Sequence, residues 1–288
     1  IVSKYPQVTK IVLQANGLPF TVLEQGVGDR LALLLHGFPD DPGSMLPLMS
    51  LLATKGFRTL APYMRGYGPT PAPRSGDYGL PVLSEDILAL ISASGHSQAL
   101  VIGHDWGGVA AMSAAARQPE KFLGLVSLSV PPIPCFLSNL ARSPGQLWRS
   151  RYMLFYQLPR LPELFMNTQE MHWIESIWRR WSPKWDFPAE RLEQVKDTFR
   201  TPHTLKAALG YYRALPRTPF WRQENPGFEV ETLILAGSED RCIDQTMFEA
   251  GKRSSTVKQA VIAGAGHFLP MEKPNEIFLE IEARFSGL

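Results

Sequence analysis

The stretch Gly103-His104-Asp105-Trp106-Gly107 constrains this chain more than any other. It has the glycine-x-nucleophile-x-glycine spacing of a sharp strand-to-helix turn, but an aspartate stands where serine is usual. Residues 99–102 before it (Ala-Leu-Val-Ile) form a short apolar run of the kind a buried parallel strand shows. Residues 107–117 after it are rich in small helix formers and stop short of Pro119. Glycines flank the aspartate because so tight a turn leaves no room for side chains. The spacing locates a nucleophile, and the carboxylate decides which chemistry it performs.

Elsewhere the chain alternates. Residues 8–14 and 19–24 flank Asn16-Gly17, a strong hairpin signal. Residues 31–35 are continuously apolar, as a central parallel strand should be, and run into His36-Gly37-Phe38-Pro39. The pattern predicts a helix over 45–54, a strand over 57–61, a helix from Ser84 to about Ser92 and a strand over 123–130. From Ile133 to about Pro219 no strand-like run appears; the segment is aromatic and proline-broken, with helices predicted over 148–157, 171–181, 189–200 and 204–213. Alternation resumes over 231–236, 245–251, 257–262 and 275–285. The expectation is a mostly parallel eight-stranded α/β sheet with helices on both faces. Its core comprises residues 1–132 and 220–288, and residues 133–219 form a helical cap inserted after the sixth strand. Such a cap overlies the carboxyl ends of the strands, where open α/β sheets bind ligands.

A length of 288 residues suits one such domain with an insertion. The net charge of +2 gives no reason to expect nucleic acid or acidic lipid as partner, and Arg179-Arg180 reads as a solvated helix face. Cys135 and Cys242 lie far apart, so no disulfide framework is expected. No uninterrupted apolar run reaches about 18 residues, so no membrane span is expected, and a cytoplasmic location is the default. The histidines have no zinc-ligand spacing; His96, His104, His172 and His203 default to structural roles, and neither metal nor cofactor is expected.

The catalytic candidates follow the order nucleophile, acid, histidine known for the α/β-hydrolase fold: Asp105, then Asp240, then His267. Asp240 ends Ala236-Gly-Ser-Glu-Asp240, and Glu239 and Asp244 remain alternatives for the acid. An acid following the strand after the turn is ruled out, because no Asp or Glu occurs between Lys121 and Pro162. Aspartate, with a reference pKa of about 3.9, needs no base to become a nucleophile and suits displacement at a saturated carbon. The product is an alkyl ester of Asp105, whose hydrolysis needs water activated by His267 and oriented by Asp240. Backbone N–H groups of Trp106 and Phe38 are the natural oxyanion donors. A halide leaves as a stable anion, whereas an epoxide oxygen needs a proton. Tyrosine phenols supply one, and the cap holds Tyr152, Tyr156, Tyr211 and Tyr212.

Over nearly its whole length the chain resembles the epoxide hydrolases of the α/β-hydrolase superfamily. His36-Gly-Phe-Pro39, Arg65-Gly-Tyr-Gly68, Gly103-His-Asp-Trp-Gly107 and Gly266-His267 carry the similarity. Arg151-Tyr152-Met-Leu-Phe-Tyr-Gln157 and Leu209-Gly-Tyr-Tyr212-Arg213 resemble the lid segments that carry two proton-donating tyrosines, which fall on Tyr152 and Tyr212. The resemblance implies a small apolar epoxide and water as substrates of a monomer or homodimer. Phe38, Pro39, Trp106, Tyr156, Tyr211 and Phe268 are expected around the pocket. Where the family often has an aromatic, this chain has Asp40-Asp41, which bears on pocket shape. Two other readings remain. A haloalkane dehalogenase shares the nucleophile but needs a halide donor; the side chain of Phe38 cannot be one, whereas Trp148, Trp173, Trp178, Trp181 or Trp185 could. The other is a non-catalytic ligand-binding relative, which usually loses part of the triad.

Overall fold

The computed structural model describes residues 5, 7–140, 142–168, 170–217, 229–248 and 255–288. Eight strands form one sheet: β1 (Thr9–Ala15), β2 (Leu18–Gln25), β3 (Arg30–Leu35), β4 (Phe57–Pro62), β5 (Ala99–His104), β6 (Phe122–Leu128), β7 (Thr232–Gly237) and β8 (Val257–Ile262). Their order is β1-β2-β4-β3-β5-β6-β7-β8. β2 pairs antiparallel with β1 and β4, and every other pairing is parallel. Asn16 (φ 43°) and Gly17 (φ 74°) turn the first hairpin, both in the left-handed region that a tight two-residue hairpin demands.

The central strands read as unbroken apolar runs because both faces of the sheet are covered. Leu31, Leu33 and Leu35 of β3 pack into one core layer, and Ala32 and Leu34 into the other. Helices α1 (Leu46–Ala53) and α11 (Pro274–Arg284) cover the second layer; α2 (Leu80–Ala93) and α3 (Trp106–Arg117) cover the first. The buried alanines of α3 (Ala110, Ala111, Ala114 and Ala115) let that helix lie close on the strands. Helix α2 begins at Leu80, four residues before the expected Ser84. Gly79 caps it in extended conformation and Pro81 sits in the first turn, where a missing N–H costs nothing. Ser84 bonds back to the Leu80 carbonyl (2.8 Å) and Asp86 pairs with Arg65, so neither caps the helix.

Between β6 and β7 the described residues form the helices α4 (Ile133–Leu140), α5 (Pro144–Gln157), α6 (Leu161–Met166), α7 (His172–Trp181), α8 (Ala189–Arg200) and α9 (Thr204–Ala214). α4 and α6 are absent from the sequence expectation; both are short and have proline at their second residue, a signal that also reads as loop. The expected segment boundary at 219/220 and the end of the expected 245–251 helix lie outside the described residues. The helical segment is tied to loops at the carboxyl ends of the strands. Trp178 Nε1–H donates to the Pro39 carbonyl (3.0 Å) and Gly68 N–H to Thr204 Oγ1 (2.9 Å). A short helix, α10 (Leu269–Glu272), follows β8. Among the described residues no helix is long and apolar enough to cross a membrane.

Candidate active site

Asp105 sits between β5 and α3 with φ 49° and ψ −120°, a conformation that costs a non-glycine residue on the order of 1–3 kcal/mol. Its surroundings tolerate no bulk. A Cβ on Gly107 would lie 2.4 Å from the Leu35 carbonyl oxygen, and one on Gly37 would lie 2.3 Å from Asp105 Cβ. The carboxylate therefore rests against bare backbone, and Phe38 N–H donates to Asp105 Oδ1 at 2.7 Å. Oδ2 is left facing His267 Nε2 at 3.7 Å, too long for a hydrogen bond.

His267 Nδ1–H donates to Asp240 Oδ2 at 2.8 Å. Asp240 Oδ1 accepts from the N–H groups of Cys242 (2.6 Å) and Ile243 (3.0 Å), so its orientation is set by the β7 loop itself. The two alternative acids are engaged elsewhere: Glu239 with Lys184, Asp244 with Arg149 and Thr246. Burial opposes charge on His267, but the Asp240 and Asp105 carboxylates outweigh it and push its pKa up to about 10. Burial holds His36 down at about 4; with the help of His267 it holds His104 at about 3, so both stay neutral and structural. His104 Nε2 bonds to the His267 carbonyl (2.8 Å), and His36 Nε2 accepts from Met64 N–H (3.1 Å).

Several residues that hold the site carry no sequence signal. Ser182, on the helical segment, accepts from His267 N–H (2.8 Å) and Phe268 N–H (3.2 Å) and donates to Glu272 (2.7 Å). Ser129 donates to the His267 carbonyl at 2.6 Å. The unusual Asp40-Asp41 pair accepts from the buried Arg191 of α8. Only the folded chain places these partners beside one another.

A cavity of about 560 Å³ joins Asp105 to Trp106, Tyr152 and Tyr212, with an otherwise largely aliphatic wall that includes Val130, Leu140 and Ile243. Among the described residues Tyr212 Oη is buried without a hydrogen-bond partner, and Tyr152 Oη has only Cys242 Sγ, at 3.8 Å. Burial pushes both phenols well above the usual tyrosine range, aided by Cys242 and Asp105 at Tyr152, and by Tyr152 and Asp105 at Tyr212. Of the expected pocket residues, only Trp106 lines this cavity. Phe38 is buried behind it, stacked on Trp173 and edge-on to Tyr212. Pro39 is capped by Trp178, and Phe268 is stacked on Trp181 and Trp185. Tyr211 turns away, donating to the Arg65 carbonyl (2.9 Å), and Tyr156 faces a second cavity. Cys135 and Cys242 are buried free thiols, and no group of potential metal ligands occurs among the described residues.

This sheet and turn geometry defines an α/β-hydrolase. A family model described as alpha/beta hydrolase fold matches residues 33–274, and the chain belongs to that family. It is 29% identical over 275 residues to the AB hydrolase superfamily protein YfhM of Bacillus subtilis, covering 93% of this chain and 96% of that protein. It is 26% identical to epoxide hydrolase A of Mycobacterium tuberculosis, over 97% of this chain and 98% of that one. The crystal structure of epoxide hydrolase A from Mycobacterium thermoresistibile superposes with a TM-score of 0.83 at 24% identity, over 98% of this chain and 99% of that one.

Proposed function

We propose that this chain hydrolyses epoxides to vicinal diols through an ester on Asp105. The observation that carries the reading is the pair of neutral phenols, Tyr152 and Tyr212, on the wall of the same apolar cavity as Asp105. The names of several relatives, epoxide hydrolase A of Mycobacterium tuberculosis among them, agree with it. In this reading residues 133–219 act as a cap over a core of 1–132 and 220–288.

Asp105 Oδ2, the oxygen not held by Phe38, attacks a ring carbon; the C–O bond breaks and the ring oxygen takes a proton from Tyr152 or Tyr212. Alkylation removes one of the two negative charges that keep the proton on His267. That proton moves to the tyrosinate, leaving the imidazole as free base. His267 then takes a proton from water, whose oxygen adds to Asp105 Cγ. The oxyanion forms on Oδ1, where Phe38 N–H already points, and Trp106 N–H is the second donor. Collapse releases the diol oxygen with the proton from His267, and the new carboxyl group returns its own proton to the imidazole. Asp240 keeps Nδ1–H directed throughout.

A dehalogenase reading is not favoured. None of the five candidate halide donors lines the Asp105 cavity, and the indole N–H groups of Trp173 and Trp178 are spent on the carbonyls of Met166 and Pro39. A purely ligand-binding role leaves the Asp105–His267–Asp240 geometry without purpose. The test is to trap the ester: mix the His267→Gln variant with an aryl epoxide and weigh the peptide containing Asp105. An adduct of one epoxide mass is expected. Its absence from both variant and wild type, with no diol formed, sinks the reading.

A further inference from the structure

Beyond Tyr152 lies a second cavity of about 750 Å³, whose wall carries Arg149, Arg151, Arg179, Arg180 and Arg241 and, among the described residues, no aspartate or glutamate. Two of the five cations are answered from outside the wall: Arg149 pairs with Asp244 (3.2 Å) and Arg179 with Glu175 (2.9 Å). Arg151 lies 3.9 Å over the Trp148 ring and donates to the Trp148 carbonyl. Arg180 and Arg241 form no ion pair with a described residue. Three guanidinium groups with no carboxylate among the described residues thus face one concave space. A concavity focuses their field although the chain as a whole carries only +2. The adjacent pair Arg179-Arg180 is exposed, as a solvated face should be; both line the cavity, and Arg179 also folds over Phe187 at 4.8 Å.

The charges are built onto the catalytic wall. Arg151 precedes Tyr152. Arg180 precedes Trp181, whose ring is 5.3 Å from that of Tyr152, and Arg241 precedes Cys242, whose Sγ is 3.8 Å from Tyr152 Oη. Tyr152 lines both cavities. Arg151 does so too, so a molecule whose ring oxygen rests on Tyr152 borders both the chamber of Asp105 and the arginine mouth.

We propose that the arginine-lined cavity is a subsite for an anionic group of the substrate, so that the chain selects epoxides with an apolar substituent on one ring carbon and a carboxylate-ended arm on the other. Guanidinium groups bind carboxylates through paired, charge-assisted hydrogen bonds, which a neutral arm does not replace. The proposal rests on the epoxide-opening reading for its substrate, but the binding of an anion does not.

The test compares an epoxide bearing a phenyl group on one ring carbon and a butanoate arm on the other with its methyl ester. Wild type should favour the acid by about tenfold or more in kcat/KM, mostly through KM, with the preference shrinking as salt rises. Arg180→Gln combined with Arg241→Gln should remove that preference and leave the ester within about twofold of wild type. Equal rates on acid and ester in wild type, or equal losses on both in the variant, overturn the subsite. Phenylbutyrate binding, read by the fluorescence of Trp148 and Trp181, separates the two proposals. If neither epoxide is turned over, the hydrolase reading fails. Saturable phenylbutyrate binding that the double variant loses still supports the subsite, and no binding in wild type refutes it.

Discussion

Arg191 Nη2 donates to Asp41 Oδ1 at 2.6 Å, joining helix α8 to the loop that also carries Phe38, 150 residues away in sequence. Asp40 shares the same guanidinium at 2.5 Å, and Thr198 donates to the other Asp41 oxygen at 2.8 Å. All three charges are buried, so the cluster holds the Phe38 N–H where Asp105 needs it.

Removing Arg191 leaves two buried carboxylates facing each other. Arg191→Ala should destabilise the fold by about 3–5 kcal/mol, read by urea or thermal melts. Burial, offset in part by Arg191, pushes Asp40 up to about 6. An acid raised in the folded state favours folding at the acid end, so the wild-type melt should lose Asp40's contribution as pH rises from about 4 to 6. A melt unchanged by Arg191→Ala would show that the cluster does not hold the loop.

The tyrosines should behave as a pair. Tyr152→Phe or Tyr212→Phe alone leaves one phenol, and each should cost roughly tenfold to a hundredfold in kcat on an aryl epoxide. Changing both should cost far more, while any turnover of an alkyl halide should be little affected. Equal losses on both substrate types would place the tyrosines in packing rather than in protonation.

His267 offers a direct titration. Its pKa of about 10 owes part of its rise to Asp105, so Asp105→Asn should lower it, as followed by imidazole NMR. A histidine raised on folding stabilises fully below its unfolded value of about 6.5 and loses that stabilisation as pH climbs toward 10. The stability gap between wild type and His267→Gln should therefore narrow across that window. An unshifted titration in Asp105→Asn would remove the step in which alkylation frees the base.

Gly37→Ala tests the close approach at the nucleophile. Its Cβ would stand 2.3 Å from Asp105 Cβ, and neither backbone can yield without moving the Phe38 N–H. Single-turnover alkylation should fall by at least about a hundredfold, an effect the size of losing an oxyanion donor. Near-normal alkylation would mean the loop is softer than its packing implies.

Heavy-oxygen water distinguishes ester hydrolysis from direct attack on the ring. In a single turnover the label should enter Asp105 and not the diol. Label in the diol alone would exclude the covalent route.

Much of the scaffold was legible in the chain, because local pattern and fold agree. Continuous apolar runs marked the parallel strands, Asn16-Gly17 marked the hairpin, and the glycine spacing around Asp105 marked the elbow. Helix α2 was placed four residues late, at Ser84, whose side chain bonds back to the Leu80 carbonyl, while Asp86 is the buried ion-pair partner of Arg65. The sequence preferred Asp240 and kept Glu239 and Asp244 as alternatives; of the three, Asp240 is the one that bonds to His267, held in that orientation by the N–H groups of Cys242 and Ile243.

By itself the sequence determined the sheet, the helical insertion, the carboxylate at the turn and the order in which acid and histidine follow. These depend on periodicity and tight-turn sterics, which act over a few residues. The tertiary structure alone decided which neighbours face which cavity. Tyr211 and Tyr212 lie about 100° apart around α9, so one bonds to Arg65 and the other lines the chamber of Asp105. Tertiary contact likewise buried Arg191 against Asp40 and Asp41, and gathered five arginines from α5, α7 and the loop after β7 into one mouth. Charge and hydrogen bonding between residues a hundred positions apart leave no local pattern to read.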